Sequence, residues 1–151
     1  MTHPMSPRDI FLSLVHAVCD RRVADLPRLY AETTNVTHPF DPFGAPPLRT
    51  RDELRAHFAG GAKPDERVRF HPTDITIHET LDPEVIVAEF TYQSDATETG
   101  KTFAIPCIFV LRVRNGEIVE SRDYIDPVRS AQAHGRLDAL SDVIEQFTGS
   151  H

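Results

Sequence analysis

Several things are scarce in this 151-residue sequence, and each scarcity excludes a class of function. Basic charge is one: 16 lysines and arginines stand against 23 aspartates and glutamates, a formal charge of −7. No basic stripe is available to face phosphate, which argues against a general nucleic-acid binder and against an anionic membrane surface as partner. No apolar run approaches the roughly 20 residues needed to span a bilayer. The opening stretch MTHPMSPRD has no charged-then-apolar signal character, so a cytoplasmic location is the expectation. There are two cysteines, Cys19 in a helical pattern and Cys107 in a strand pattern. Both are expected as buried thiols rather than as a disulfide. No HxH, HExxH or CxxC spacing occurs, and His71 and His78, seven apart on one strand, point to opposite faces. A metal site is therefore not expected. Without a G-x-G-x-x-G or P-loop, neither is a nucleotide cofactor, and the expectation is an activity with no cofactor at all.

The elements present read as helices first and sheet later. Ser6 and Pro7 form a helix start, followed by Ile10, Leu14, Val15 and Val18 at helical spacing. Asp25 to Tyr30 suggests a short second helix, and Thr33 to His38 a strand. The Pro-rich segment 39–47 excludes regular structure. Thr50 and Glu53 form a capping box that opens a third helix, with Leu54 and Phe58 inward and Gly60-Gly61 as its stop. Three strand-like runs follow, at about 68–80, 85–94 and 101–114. The tail breaks at Gly135 into two helical pieces, Val128 to His134 and Leu137 to Phe147. The second carries a Leu137, Leu140, Ile144, Phe147 stripe, expected to close a cavity mouth or meet a partner subunit. The length and the absence of repeats or linkers indicate one domain, with a core of about 9–127 and a tail of about 128–148.

The most informative segment is 115–127. Asn115-Gly116 allows the positive φ angles of a two-residue hairpin turn, so the flanking runs should pair antiparallel. In an unbroken register Val113 faces Ile118, Ser121 faces Val110, and Asp123 faces Ile108. Asp123 then shares an apolar face with Ile108, Val110, Val119 and Ile125. A carboxylate there has its charged form disfavoured, which suits it to proton transfer near neutral pH. A single bulge would reverse this face. Asp126, ahead of Pro127, is expected to cap the following helix.

This order of elements resembles the cone-shaped α+β fold shared by nuclear transport factor 2, ketosteroid isomerase, limonene epoxide hydrolase and the SnoaL-like polyketide cyclases. There a curved antiparallel sheet wraps around N-terminal helices. The resemblance rests on the helix–strand link Tyr30 to Thr33, the Pro-rich segment followed by Leu48 to Leu54, the Asn115-Gly116 hairpin, and Arg122-Asp123-Tyr124-Ile125-Asp126-Pro127. The last is similar to the signature of the SnoaL-like and phenazine-biosynthesis branches, where the matching residue is a pocket carboxylate acting as acid or base. Limonene epoxide hydrolases also use an Arg and an Asp whose positions fall here on Phe90 and Tyr92, so epoxide hydrolysis by that triad is not expected.

The resemblance implies a small-molecule enzyme of the isomerase, cyclase or dehydratase type. It would act by proton transfer on a hydrophobic, carbonyl-bearing substrate in the cone. The alternative is a non-catalytic ligand-binding or dimerisation module. Asp123 is the candidate acid–base group, with His38 as catalytic partner. Tyr92, Phe58, Phe90, Tyr30, Val15, Ile108, Val110 and Asp41 are the candidate substrate-binding residues, with Phe11 and Leu29 beside them. His57 reads as a solvated helix-face residue. A homodimer is expected through the outer face of the last hairpin, assigned here to Cys107, Phe109, Leu111, Val113, Ile118 and Tyr124.

Overall fold

The Ser6 hydroxyl accepts the Asp9 amide at 3.2 Å and starts α1 (Pro7–Cys19), whose Ile10, Phe11, Leu14 and Val15 are all buried. The computed structural model describes residues 3–60 and 68–149. After α1 a 3-10 turn at Leu26–Leu29 delivers Tyr30 into the interior, where it is 2% exposed. β1 (Thr33–Thr37) follows, and the Pro-rich loop returns the chain to β2 (Leu48–Thr50). Thr50 Oγ1 accepts the Glu53 amide at 3.1 Å to open α2 (Arg51–Gly60). The Glu53 carboxylate reaches back one residue further than a standard capping box, to the Arg49 amide at 2.6 Å. Gly60 ends α2; Gly61 lies outside the described residues.

Four long strands come next: β3 (Phe70–Glu79), β4 (Val85–Ser94), β5 (Ala104–Arg114) and β6 (Glu117–Ile125). They form a curved six-stranded sheet in the order β2-β1-β6-β5-β4-β3. Every pairing is antiparallel except β1 with β6, which is parallel. α1 packs across β3, β4 and β5 on the concave side. Phe11 sits there edge-on to Phe90 and Phe109, with ring centroids 5.2 and 6.3 Å away. This is the α+β cone expected from the element order. Both cysteines are buried and free.

Asn115 and Gly116 adopt φ of 52° and 74°, so the hairpin turn forms as its dipeptide dictates. The unbroken register does not hold beyond it. Val113 still pairs with Ile118, but Arg112 pairs with Glu120, leaving Val119 as an extra residue in a β-bulge. From there Leu111 faces Ser121, Phe109 faces Asp123 and Cys107 faces Ile125. The bulge lets Ile118 and the odd-numbered Ser121 and Asp123 point to the same side. It also corrects the dimer surface expected above: Cys107, Phe109, Leu111, Val113 and Ile118 are core residues. The outer face instead carries Ile108, Val110, Arg112, Glu120, Arg122 and Tyr124, because these are their bulge-shifted partners.

Asp126 caps α3 (Pro127–Ala133) by accepting the Arg129 amide at 2.9 Å. α4 (Leu137–Thr148) packs on α3 through buried Leu140, leaving Leu137, Ile144 and Phe147 exposed. The tail reaches the cavity through α3 and the α3–α4 link, not through the α4 stripe: Pro127, Ser130, Ala131, His134 and Arg136 are among its lining residues.

Candidate active site

The concave side holds a cavity of about 860 Å³ between the sheet, α1, α2, α3 and the Pro-rich loop. Its volume suits a small-molecule ligand. Asp123, His38, Tyr30, Tyr92, Phe58 and Asp41 all line it. Six other expected wall residues do not. Val15, Phe11 and Phe90 are committed to the core beneath the sheet, and Leu29 packs against that core. Ile108 and Val110, expected beside Asp123, stand on the opposite face of β5; Ile108 is 41% exposed. The bulge at Val119 is the physical reason, and Phe109 takes the expected place of Ile108 in the wall. Leu14, Leu26, Val36 and Ile125 are among the other apolar lining residues.

The parallel pairing of β1 and β6 sets the geometry at the polar end of the cavity. Val36 aligns with Ser121 and Thr37 with Arg122, so the next residue, His38, comes beside Asp123. His38 Nε2 lies 3.7 Å from Asp123 Oδ2. The other carboxyl oxygen accepts a short hydrogen bond from the hydroxyl of Ser121, which is fully buried. Asp123 itself is 7% exposed. Burial pushes its carboxyl up to about 7, with the Ser121 hydrogen bond pulling the other way.

His38 is held below the ordinary imidazole range, first by burial and then by repulsion from His57, with Asp41 opposing. Both shifts favour uncharged forms. The 3.7 Å separation also exceeds hydrogen-bonding distance, so transferring the Asp123 proton to His38 would create two charges with little attraction to offset their desolvation. Near neutral pH the pair is a neutral imidazole beside a carboxyl poised between its two forms.

The remaining polar groups surround this pair. The Tyr30 and Tyr92 hydroxyls titrate well above their ordinary value, chiefly because of burial, and stay protonated at neutral pH. Neither hydrogen-bonds to another described residue, which leaves both as donors toward the cavity. Asp41 is engaged: its two oxygens accept the Phe43 amide at 3.2 Å and the Ala45 amide at 2.7 Å, folding the Pro-rich loop. His57 is exposed, as expected of a helix-face residue, and it also lines the cavity from α2, its ring centroid 6.1 Å from that of His38. Ser121 went unrecognised as a site residue, yet its place two before Asp123 on a strand puts it on the same face. At the mouth, the Arg136 guanidinium lies 3.9 Å over the Phe43 ring. Among the described residues no group of three or more His, Cys, Asp or Glu converges as metal ligands, and no helix is long and apolar enough to cross a membrane.

The fold and this pocket define a cone-shaped α+β protein with a buried acid at its heart. The SnoaL-like domain model matches residues 12–121, and the chain belongs to that family. An uncharacterised PhzA/B-like protein of Pseudomonas aeruginosa is 34% identical over 107 residues, covering 69% of this chain and 74% of that protein. Among solved structures, a Bacillus subtilis protein provisionally assigned as an isomerase aligns with a TM-score of 0.72 at 21% identity, covering 85% of this chain and 92% of that one. A Pseudomonas putida protein provisionally assigned as a polyketide cyclase gives 0.64 at 16% identity, covering 85% and 98%. A protein of ketosteroid isomerase-like fold from Catenulispora acidiphila, solved with trimethylamine, gives 0.64 at 20% identity, covering 87% and 95%. These structural likenesses establish the shared fold.

Proposed function

We propose that this chain is a cofactor-independent acid–base enzyme acting on a small, hydrophobic, carbonyl-bearing molecule by isomerisation, cyclisation or dehydration. One observation carries this reading: Asp123 is buried in the wall of a ligand-sized cavity, with its carboxyl pushed up to about 7. Such a group is partly ionised and partly protonated at neutral pH, the condition in which one residue can both accept and donate a proton. The ionised form takes a proton from the carbon next to the substrate carbonyl. The electron pair moves onto the carbonyl oxygen, which Tyr92 or His38 meets with a hydrogen bond. The protonated form then returns the proton, to another carbon in an isomerisation or to a departing hydroxyl in a dehydration. The provisional isomerase and cyclase assignments of its structural neighbours support this reaction class by analogy of fold. The protein working as a homodimer is part of the same proposal.

The test is turnover across a panel of hydrophobic ketones and β-dicarbonyl compounds, followed as deuterium uptake next to the carbonyl in heavy water. Asp123→Asn preserves shape and removes the titrating proton. It should lower the exchange rate by about 10²–10⁴-fold while ligand binding is nearly unchanged. A non-catalytic binding module gives the other pattern: no exchange above background in the wild type, with affinity altered only if Asp123 touches the ligand.

A further inference from the structure

His38 is surrounded by titratable groups on three sides. Among the described residues these are Asp123 from β6, Asp41 from its own loop, and His57 from α2. Tyr30 also lines the same cavity wall and stays neutral. Further out on that wall stand Arg21, His134 and Arg136. Exposure rises outward along the series: Asp123 is 7% exposed, the His38 side chain 21%, and His57 is exposed. The two imidazole rings are tilted by 32° with centroids 6.1 Å apart, and the Phe58 ring centroid lies 5.3 Å from that of His57 at 70° to it. Burial holds the His57 imidazole below its ordinary range as well, although by surface exposure it is the more open of the two. Two imidazoles this close cannot both be charged without mutual repulsion, and the better-solvated one charges first as pH falls.

We propose that His57 is a positioning residue that acts through His38: by taking up the first proton from solvent, it keeps His38 neutral and so leaves the proton of the His38–Asp123 pair on the carboxyl. The inference rests on Asp123 and His38 being the reacting pair. His57 need touch neither substrate nor Asp123 for this. Its effect is electrostatic, and any permanent cation at that position should reproduce it. His38 is held below the ordinary imidazole range first by burial and then by His57, with Asp41 opposing, and the second of these causes agrees with this arrangement.

The experiment is a titration of the His38 ring signals by NMR on the whole protein between about pH 4 and 8, assigned with His38→Asn. In His57→Gln the His38 midpoint should rise by roughly half a pH unit to one, as expected for removing a like charge about 6 Å away in a solvated site. In His57→Lys, which keeps the charge, it should stay as low as in the wild type or fall further. Asp41→Asn should lower it, whatever the outcome for the α2 variants. An unchanged midpoint in His57→Gln, or an equal rise in both His57 variants, would overturn the proposal, the latter because loss of shape rather than charge would then be responsible. The titration needs no substrate. Failure here leaves the acid–base role of Asp123 standing, and failure of Asp123→Asn to reduce exchange leaves this electrostatic link intact.

Discussion

His38 Nε2 stands 3.7 Å from Asp123 Oδ2 because β1 runs parallel to β6, bringing together two residues 85 positions apart in sequence. His38 directly follows β1, Asp123 stands on β6, and the cone closes around both. The arrangement places the acid where water is scarce and gives it two uncharged neighbours, an imidazole and a serine hydroxyl. The rest of the reading follows from the cost of charge in that environment.

That cost is visible in stability. Aspartate ordinarily titrates near 3.8, and Asp123 in the folded protein at about 7. Between these values the native state holds a proton that the unfolded chain has released, so the penalty for burying Asp123 is absent below about pH 4 and grows as pH rises to about 7. Asp123→Asn should match the wild type in stability near pH 4 and exceed it increasingly toward pH 7, by at most about 1.4 kcal/mol per pH unit of that window. Denaturant unfolding at several pH values measures this. An advantage that shrinks with rising pH would mean that Asp123 is stabilised as the carboxylate.

Ser121 opposes the shift, since its hydroxyl donates to Asp123 and favours the ionised form. Ser121→Ala should therefore move the Asp123 midpoint above about 7. The carboxyl carbon signal of labelled aspartate reports this directly, and a downward move would contradict the assigned hydrogen bond.

The bulge at Val119 gives β5 a sharp asymmetry. Phe109 is core, packed 4.9 Å from Phe90 and facing Asp123, while its neighbour Ile108 points outward. Phe109→Ala should cost about 3–5 kcal/mol. Ile108→Ala should stay within about 1 kcal/mol in the monomer. A larger loss at Ile108 than at Phe109 would mean that the unbroken register had been right.

Much of the fold was legible because its signals are local. Ser6, Thr50 with Glu53, Asn115-Gly116 and Asp126 each specify a turn or cap within four residues, and each is found doing so. Asp123 stands out as a carboxylate in an apolar strand, although the neighbours assigned to it belong to the wrong register, and His38 by its place at a strand end; both line the cavity. What joins them was hidden: the parallel β1–β6 pairing is long-range, and no local pattern announces it. The bulge was hidden too, because an alternating strand reads equally well in two registers that differ by one residue. His57 looked like a surface residue because the chain of α2 alone cannot show that a cavity lies beside it.

The outer face of the sheet is the surface on which the proposed homodimer is tested. Ile108 and Val110 lie there with Tyr124, whose ring meets exposed Phe40 at 5.0 Å. Sedimentation at micromolar concentration should show a species of twice 17.0 kDa, and Ile108→Lys should shift it to the monomer. A single 17.0 kDa species in the wild type would remove the dimer.

The protonation state of Asp123 itself is the most direct test. A buried neutral carboxyl gives an infrared C=O stretch that the ionised form lacks, and subtracting the Asp123→Asn spectrum isolates this one group. The expected result is a carbonyl band present at pH 5 that titrates away with a midpoint near 7. An Asp123 already ionised at pH 5 would contradict the account, since a carboxylate paired or solvated in the ordinary way has no reason to be the acid at the centre of this cavity.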